Sequence, residues 1–154
     1  MEIFRKSIEV RWSDTDANAH MSHTAYASFA THLRVSWLNN IGFSLSKLIS
    51  LGYTAMLLKE ETEYLRQVYL GDTLELSLLF SGASSDYTRW KFINKFYNHN
   101  GKLVAVHTVN GVWVNIAAKK ISTPPAEFLQ LIQNVPKDEN FEDLTADPRE
   151  YSKA

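Results

Sequence analysis

From Ser22 to Ile41 the apolar residues Tyr26, Phe29, Ala30, Leu33, Trp37 and Ile41 recur every three or four positions. That spacing lays one apolar stripe along a helix, and Gly42 is a natural stop. The chain beyond it reads differently. Thr54 to Leu65, Thr73 to Phe80, Arg89 to Tyr97 and Leu103 to Asn115 are strand-like runs, each bounded by turn residues. One helix followed by strands can bury its stripe only against their sheet. The spacing therefore predicts an α+β chain, with a long central helix packed on a curved antiparallel sheet.

Shorter signals fill in the order. Ile8, Val10 and Trp12 alternate with Glu9 and Arg11, which predicts a first strand from Ile8 to Trp12. Asn100-Gly101 lies between two alternating runs and suits the positive φ angles of a hairpin turn, so the last two strands are expected to be antiparallel neighbours. Ser44 to Gly52 reads as a linking stretch. After Pro124-Pro125, Ala126 to Gln133 reads as a short helix. Residues 1–135 are thus expected to form one domain, and 136–154 an acid-rich tail, partly ordered at most, with Phe141, Leu144 and Tyr151 available to hold it. A lone helix covers one sheet face. The bulk of Trp90, Phe92, Phe96, Val112 and Trp113 then predicts a second subunit, in a homodimer or homotetramer.

Composition removes several classes of function. The 154 residues include no cysteine, so disulfides, thiolate metal sites and cysteine nucleophiles are excluded. No window approaches the ~20 apolar residues of a membrane span, and no signal segment follows Met1; a cytoplasmic protein without a membrane partner is expected. A net charge of -1 argues against a nucleic-acid partner held by broad phosphate neutralisation. A small anionic ligand remains compatible with it.

Chemistry-bearing residues crowd into one segment. Asp14, Asp16, His20, Ser22, His23 and Tyr26 fall between the first strand and the helix. Asp14, Asp16 and Asn18 serve equally well as turn and helix caps. The alternative is a site, because a helix N-terminus offers unpaired N–H groups that can hold a developing oxyanion. His20 and His23 are also spaced as metal ligands, with Asp16 or His32 as a third. A serine triad through Ser22 or Ser28 lacks the Gly-x-Ser-x-Gly elbow.

Val10-Arg11-Trp12-Ser13-Asp14-Thr15-Asp16 and His20-Met21-Ser22-His23-Thr24-Ala25-Tyr26 resemble the signature of hotdog-fold thioesterases of the 4-hydroxybenzoyl-CoA thioesterase class. Further segments fit in order: Arg34-Val35-Ser36-Trp37-Leu38, Tyr64-Leu65-Arg66, Gly71-Asp72-Thr73-Leu74, Gly111-Val112-Trp113-Val114 and Pro124-Pro125. The resemblance runs from about Ile8 to Pro125. Ala19 stands where that class commonly has glycine, His23 where it has asparagine, and Gln67 where it has proline. A histidine at the position of His23 occurs in some acyl-CoA thioesterase branches. A second hotdog branch carries a catalytic glutamate on the helix, but Ser22 to Ile41 holds no Asp or Glu.

The resemblance implies hydrolysis of an acyl-CoA or related acyl thioester, with Asp16 and His23 catalytic. Asp16 would attack the carbonyl or act as general base, and helix N-terminal amides would form the oxyanion hole. Tyr26 would close the acyl pocket, and Arg66 and Arg89, or Lys119 and Lys120, would meet the CoA phosphates. No cofactor and no metal is called for. The alternatives are a non-catalytic hotdog module that binds an acyl group or acyl-CoA, and a hydratase of the same fold.

Overall fold

The helical stripe forms α1 (His23–Asn40), an 18-residue helix with Tyr26, Phe29, Ala30, Leu33 and Trp37 buried. The computed structural model describes residues 1–146. Around α1 curls a sheet built from β1 (Phe4–Glu9), β2 (Tyr53–Tyr64), β3 (Thr73–Ala83), β4 (Arg89–Tyr97) and β5 (Leu103–Asn115). Their order is β1-β3-β4-β5-β2, every pairing antiparallel. Short β6 (Lys120–Ile121) adds to β5, and β7 (Glu142–Asp143) runs parallel to β3. The helices α2 (Leu45–Ser50) and α3 (Ala126–Ile132) complete the α+β fold.

Aromatic contacts fix the helix on the sheet. Tyr26 meets Phe96 with ring centroids 5.6 Å apart, and Trp37 meets Phe92 at 5.5 Å. Phe128 of α3 packs on Trp113 and Phe43. Trp90, Phe92, Phe96, Val112 and Trp113 are all buried within the single chain. They therefore do not supply the apolar surface on which a second subunit was expected. The alternation of β4 turns Trp90, Phe92 and Phe96 inward, while Arg89, Lys91, Ile93, Lys95 and Tyr97 between them are half-buried.

The first strand differs from expectation. β1 ends at Glu9, and Trp12 lies in a single 3-10 turn, 81% exposed rather than facing the core. Val10 is held by the turn before β3, donating to the Asp72 carbonyl and accepting from Gly71 N–H, and Asp14 then draws Arg11 round. The linking stretch contains α2, capped by the Ser44 hydroxyl accepting from Lys47 N–H. At the hairpin only Gly101 takes a positive φ; Asn98 closes the turn by accepting from the Asn100 and Lys102 amides.

Where β3 outruns β1, residues 138–144 take the vacant edge. Asp138 N–H donates to the Phe80 carbonyl, Leu144 N–H to that of Ala83, and Phe141 stacks edge-on against Phe80. The rest of the expected tail, 147–154 with Tyr151, lies outside the described residues.

One irregularity decides what the helix meets. The register of β2 against β5 shifts between Leu57 and Lys59, a bulge that reverses the alternation. Ala55 and Leu57 face the α1 side before it, and Glu60, Thr62 and Tyr64 after it. β2 has no second neighbour in the sheet among the described residues.

Candidate functional site

Two loops meet at the N-terminal end of α1. Met21 N–H donates to the Val68 carbonyl, Leu70 N–H to that of Ala19, and His20 pairs with Tyr69 in an isolated bridge. Within the first loop Asp16 N–H donates to the His20 carbonyl, and Ala19 N–H to that of Asp16. The turn is tight enough that Ala19 adopts φ 58°, the left-handed region where a side chain is strained. Alanine at this position thus keeps a glycine-type conformation.

The two aspartates have separate roles in this turn. Asp14 is buried, and its carboxylate accepts from Arg11 N–H at 2.9 Å and from the Arg11 guanidinium at 3.1 Å. That guanidinium holds Asp14 below the usual carboxylate range, against the opposing pull of burial. Asp16 is exposed. Its Oδ1 accepts from Asn18 N–H at 2.9 Å and His20 N–H at 3.3 Å, and its Oδ2 accepts no hydrogen bond from a described residue. Backbone amides therefore orient the carboxylate while one oxygen stays available.

Asp16 borders a cavity of about 450 Å³ together with His20, Met21, His23, Tyr26, Tyr64, Leu65, Arg66 and Gln67. His23 is the first residue of α1, so the helix N-terminus lies at this cavity. Tyr26 is buried beneath it, edge-on to Tyr64 at 5.0 Å, and burial raises its phenol, with Tyr64 adding to the effect. The hydroxyl is a neutral donor at physiological pH.

The sequence profile of the thioesterase-like superfamily matches residues 10–132. The chain belongs to that superfamily.

Solved structures of similar shape place this thioesterase-like chain in the hotdog fold. A hypothetical protein from Staphylococcus aureus, its structure solved in complex with CoA, aligns at TM-score 0.79 and 23% identity, over 98% of this chain and 95% of that one. A 1,4-dihydroxy-2-naphthoyl-CoA thioesterase from Synechocystis aligns at TM-score 0.77 and 20% identity, over 85% and 96%. A hypothetical protein from Aquifex aeolicus aligns at TM-score 0.76 and 24% identity, over 83% and 98%. No curated protein matches in sequence.

Of the residues singled out in this superfamily member's sequence, Asp16, His23, Tyr26 and Arg66 share the cavity, and His20 joins them. Arg89 does not line it; the first residue of β4, it pairs with Val112. His32 is exposed on α1, outside the cavity lining. Among the described residues no three His, Asp or Glu side chains converge to hold a metal ion. No helix among them is long and apolar enough to cross a membrane.

Tyr64, Leu65 and Gln67 reach the site only because the second loop zips onto the first, a long-range pairing that local periodicity does not reveal. A buried polar row was also missed. Asn94, His107 and Thr62 are cross-strand partners facing α1, with His107 Nδ1 2.7 Å from the Thr62 hydroxyl and Nε2 3.3 Å from Glu60 Oε1. Arg34 of α1 donates to Asn94 Oδ1 at 3.5 Å and Thr31 Oγ1 at 3.1 Å. A lone arginine on the apolar stripe, between Leu33 and Trp37, was its signal.

Proposed function

We propose that the chain hydrolyses an acyl-CoA thioester to a free acid and CoA. The observation that carries this reading is the shared cavity of Asp16, His23 and the α1 N-terminus, in a chain of the thioesterase-like superfamily. Asp16 either attacks the thioester carbonyl carbon, so that the C–S bond breaks to release CoA thiolate and water then cleaves the acyl–Asp16 anhydride to the free acid, or takes a proton from the water that attacks, so that the tetrahedral intermediate breaks its C–S bond to give the acid and CoA. The open N–H groups of the first turn of α1 hold the carbonyl oxygen as it gains charge. His23 orients the water or carbonyl, Tyr26 bounds the acyl group, and Arg66 meets a CoA phosphate. The CoA bound to the Staphylococcus aureus neighbour supports the same ligand class here.

The open edge of β2 favours a homodimer or homotetramer, since among the described residues its twelve residues of strand lack a second neighbour and Leu57 and Tyr64 are exposed. Sedimentation equilibrium checks this; a monomer at micromolar concentration removes both assemblies.

A panel of acyl-CoA esters, assayed for thiol release with wild type and Asp16→Asn, tests the activity. Release well above background by wild type, and its loss in the variant, is expected. Equal rates in the two proteins remove Asp16 from the chemistry, and tight binding without release replaces the enzyme with an acyl-CoA-binding module.

A further inference from the structure

The cleft beside Asp16 ends at a partition of aromatic rings. Tyr64, Ala105 and Phe96 are cross-strand partners on β2, β5 and β4. Tyr26 of α1 meets both ends of this row, its ring centroid 5.0 Å from that of Tyr64 and 5.6 Å from that of Phe96. Phe96 and Ala105 are fully buried and border no part of the cleft, whereas Tyr26 and Tyr64 line it. Tyr64 is turned toward α1 by the bulge in β2, which sets the alternation of every residue after it.

Behind the rings the interior changes character. The next inward-facing row is Thr62, His107 and Asn94, and none of the three lines the cleft. Asn94 is fully buried, and its Nδ2 has no hydrogen-bond partner among the described residues. A methylene chain driven into this row would give that donor nothing to bind. Farther along α1 a separate apolar cavity of about 250 Å³ lies among Trp37, Trp90, Phe92 and Trp113, and it shares no lining residue with the cleft. The ring pair and the polar row therefore stand between the reacting end of the cleft and the only strongly apolar space that a long acyl chain could fill among the described residues.

We infer that Tyr64 sets the acyl length this cleft accepts, by forming with Tyr26 the floor against which a short acyl group ends. The inference rests on the hydrolytic reading and adds a substrate class to it, thioesters of short acyl groups. A closed wall discriminates strongly, since an added methylene that finds no room costs about tenfold or more in reaction efficiency. Of the two rings, that of Tyr64 is the adjustable one. It stands at the end of β2 and is 54% exposed, so it can be shortened without opening the core, whereas Tyr26 is 4% exposed and packs on Phe96. The Tyr64 ring lies on the α1 face of the sheet, so a second copy paired along the edge of β2 leaves this floor in place.

The test compares kcat/KM for straight-chain acyl-CoA esters from acetyl to dodecanoyl in wild type, Tyr64→Phe, Tyr64→Val and Tyr64→Ala. In wild type octanoyl-CoA is expected to react at least about tenfold less efficiently than butanoyl-CoA. Tyr64→Ala should raise the octanoyl-to-butanoyl ratio by about tenfold or more, and Tyr64→Val, which suits a strand as tyrosine does, should raise it in the same direction. Tyr64→Phe keeps the ring and should leave the ratio within about twofold of wild type, because the ring and not the hydroxyl blocks the chain. A merely structural role would lower all chain lengths alike and leave the ratio unmoved. The inference is overturned if wild type accepts octanoyl-CoA as well as butanoyl-CoA, or if the two smaller side chains leave the ratio where it was. It is also overturned if Tyr64→Phe shifts the ratio as far as Tyr64→Ala does. Each of these results leaves hydrolysis itself standing. Thiol release from no straight-chain ester overturns it as well, and the wider acyl-CoA panel then decides the hydrolytic reading separately.

Discussion

At the N-terminal end of α1 a carboxylate stands in solvent, while eleven residues beyond His23, on the same helix, a guanidinium is buried beside tryptophans. Asp16 is oriented by two backbone amides and needs no counter-ion, because water solvates its free oxygen. Arg34 is largely buried, and its two hydrogen bonds go to neutral acceptors. The difference separates two ways a fold can present a charge. An exposed charge is easily held and ready for chemistry, whereas a buried one depends on the polar groups packed around it. Between the two lies the row Asn94, His107 and Thr62, which divides the open cleft from the apolar cavity.

The largest expected effect breaks the open end alone. Asn at position 16 keeps an oxygen to accept from the Asn18 and His20 amides, so the loop survives while the nucleophile or base is lost. Thiol release should fall on the order of a hundredfold or more, with the unfolding midpoint nearly unchanged. A variant that loses activity and stability together would instead make Asp16 a turn residue. Gly111→Ala strikes the other end. A Cβ there would collide with the Trp90 ring and come within 2.6 Å of the Met56 carbonyl oxygen. Displacing Trp90 should cost about 2–3 kcal/mol in urea unfolding and distort the apolar cavity. Hydrolysis per folded molecule should persist, so a matching loss of activity would show that the two ends are coupled.

The row between them should register as pH dependence. Burial holds His107 below its ordinary 6.5, the charge of Arg34 adds to this, and Glu60 opposes both. The unfolded chain therefore takes up this proton first as pH falls. Stability from neutral His107 is complete above about 6.5 and is lost progressively as pH drops toward the lower folded value. Urea unfolding of wild type between pH 7.5 and 5 (about the span in which histidine titrates) should show this decline, and His107→Asn should flatten it. Asp14 acts in a separate window. Its depressed value contributes stability above 3.8 that disappears only at more acid pH.

Much of the open end was legible in sequence, and little of the closed end was. The α1 stripe and the four strand runs follow local periodicity, so they appear in the fold with bounds shifted by a few residues at most. The segment from Asp14 to His23 stood out because polar residues accumulate at a helix start. Trp12 misled, since alternation continues past the point where the Asp72 turn captures Val10. The bulge at Leu57 and Lys59 is invisible to periodicity, yet it turns Glu60, Thr62 and Tyr64 toward α1. The expected dimer face failed for a related reason: Trp90, Phe92 and Trp113 are covered by α1 and α3, elements whose packing against one sheet face depends on its curl. Arg34 was hidden by the same stripe that made the helix readable.

The smallest expected effect sharpens how the open end is held. Ala19 occupies φ 58° with its methyl group exposed, so glycine there removes strain without removing a packed group. Relief of the left-handed conformation favours the folded state by about 1–2 kcal/mol, and the greater freedom of glycine in the unfolded chain offsets about 0.4–1 kcal/mol of that. A net gain of about 0.5–1 kcal/mol should appear as a higher urea midpoint for Ala19→Gly. The turn's own bonds, Ala19 N–H to Asp16 and Leu70 N–H to Ala19, are retained, so Asp16 should stay in register and hydrolysis should change by less than about twofold. A lower midpoint would mean that the strained backbone is not what limits this loop, and that the exposed methyl group stiffens the turn that orients Asp16.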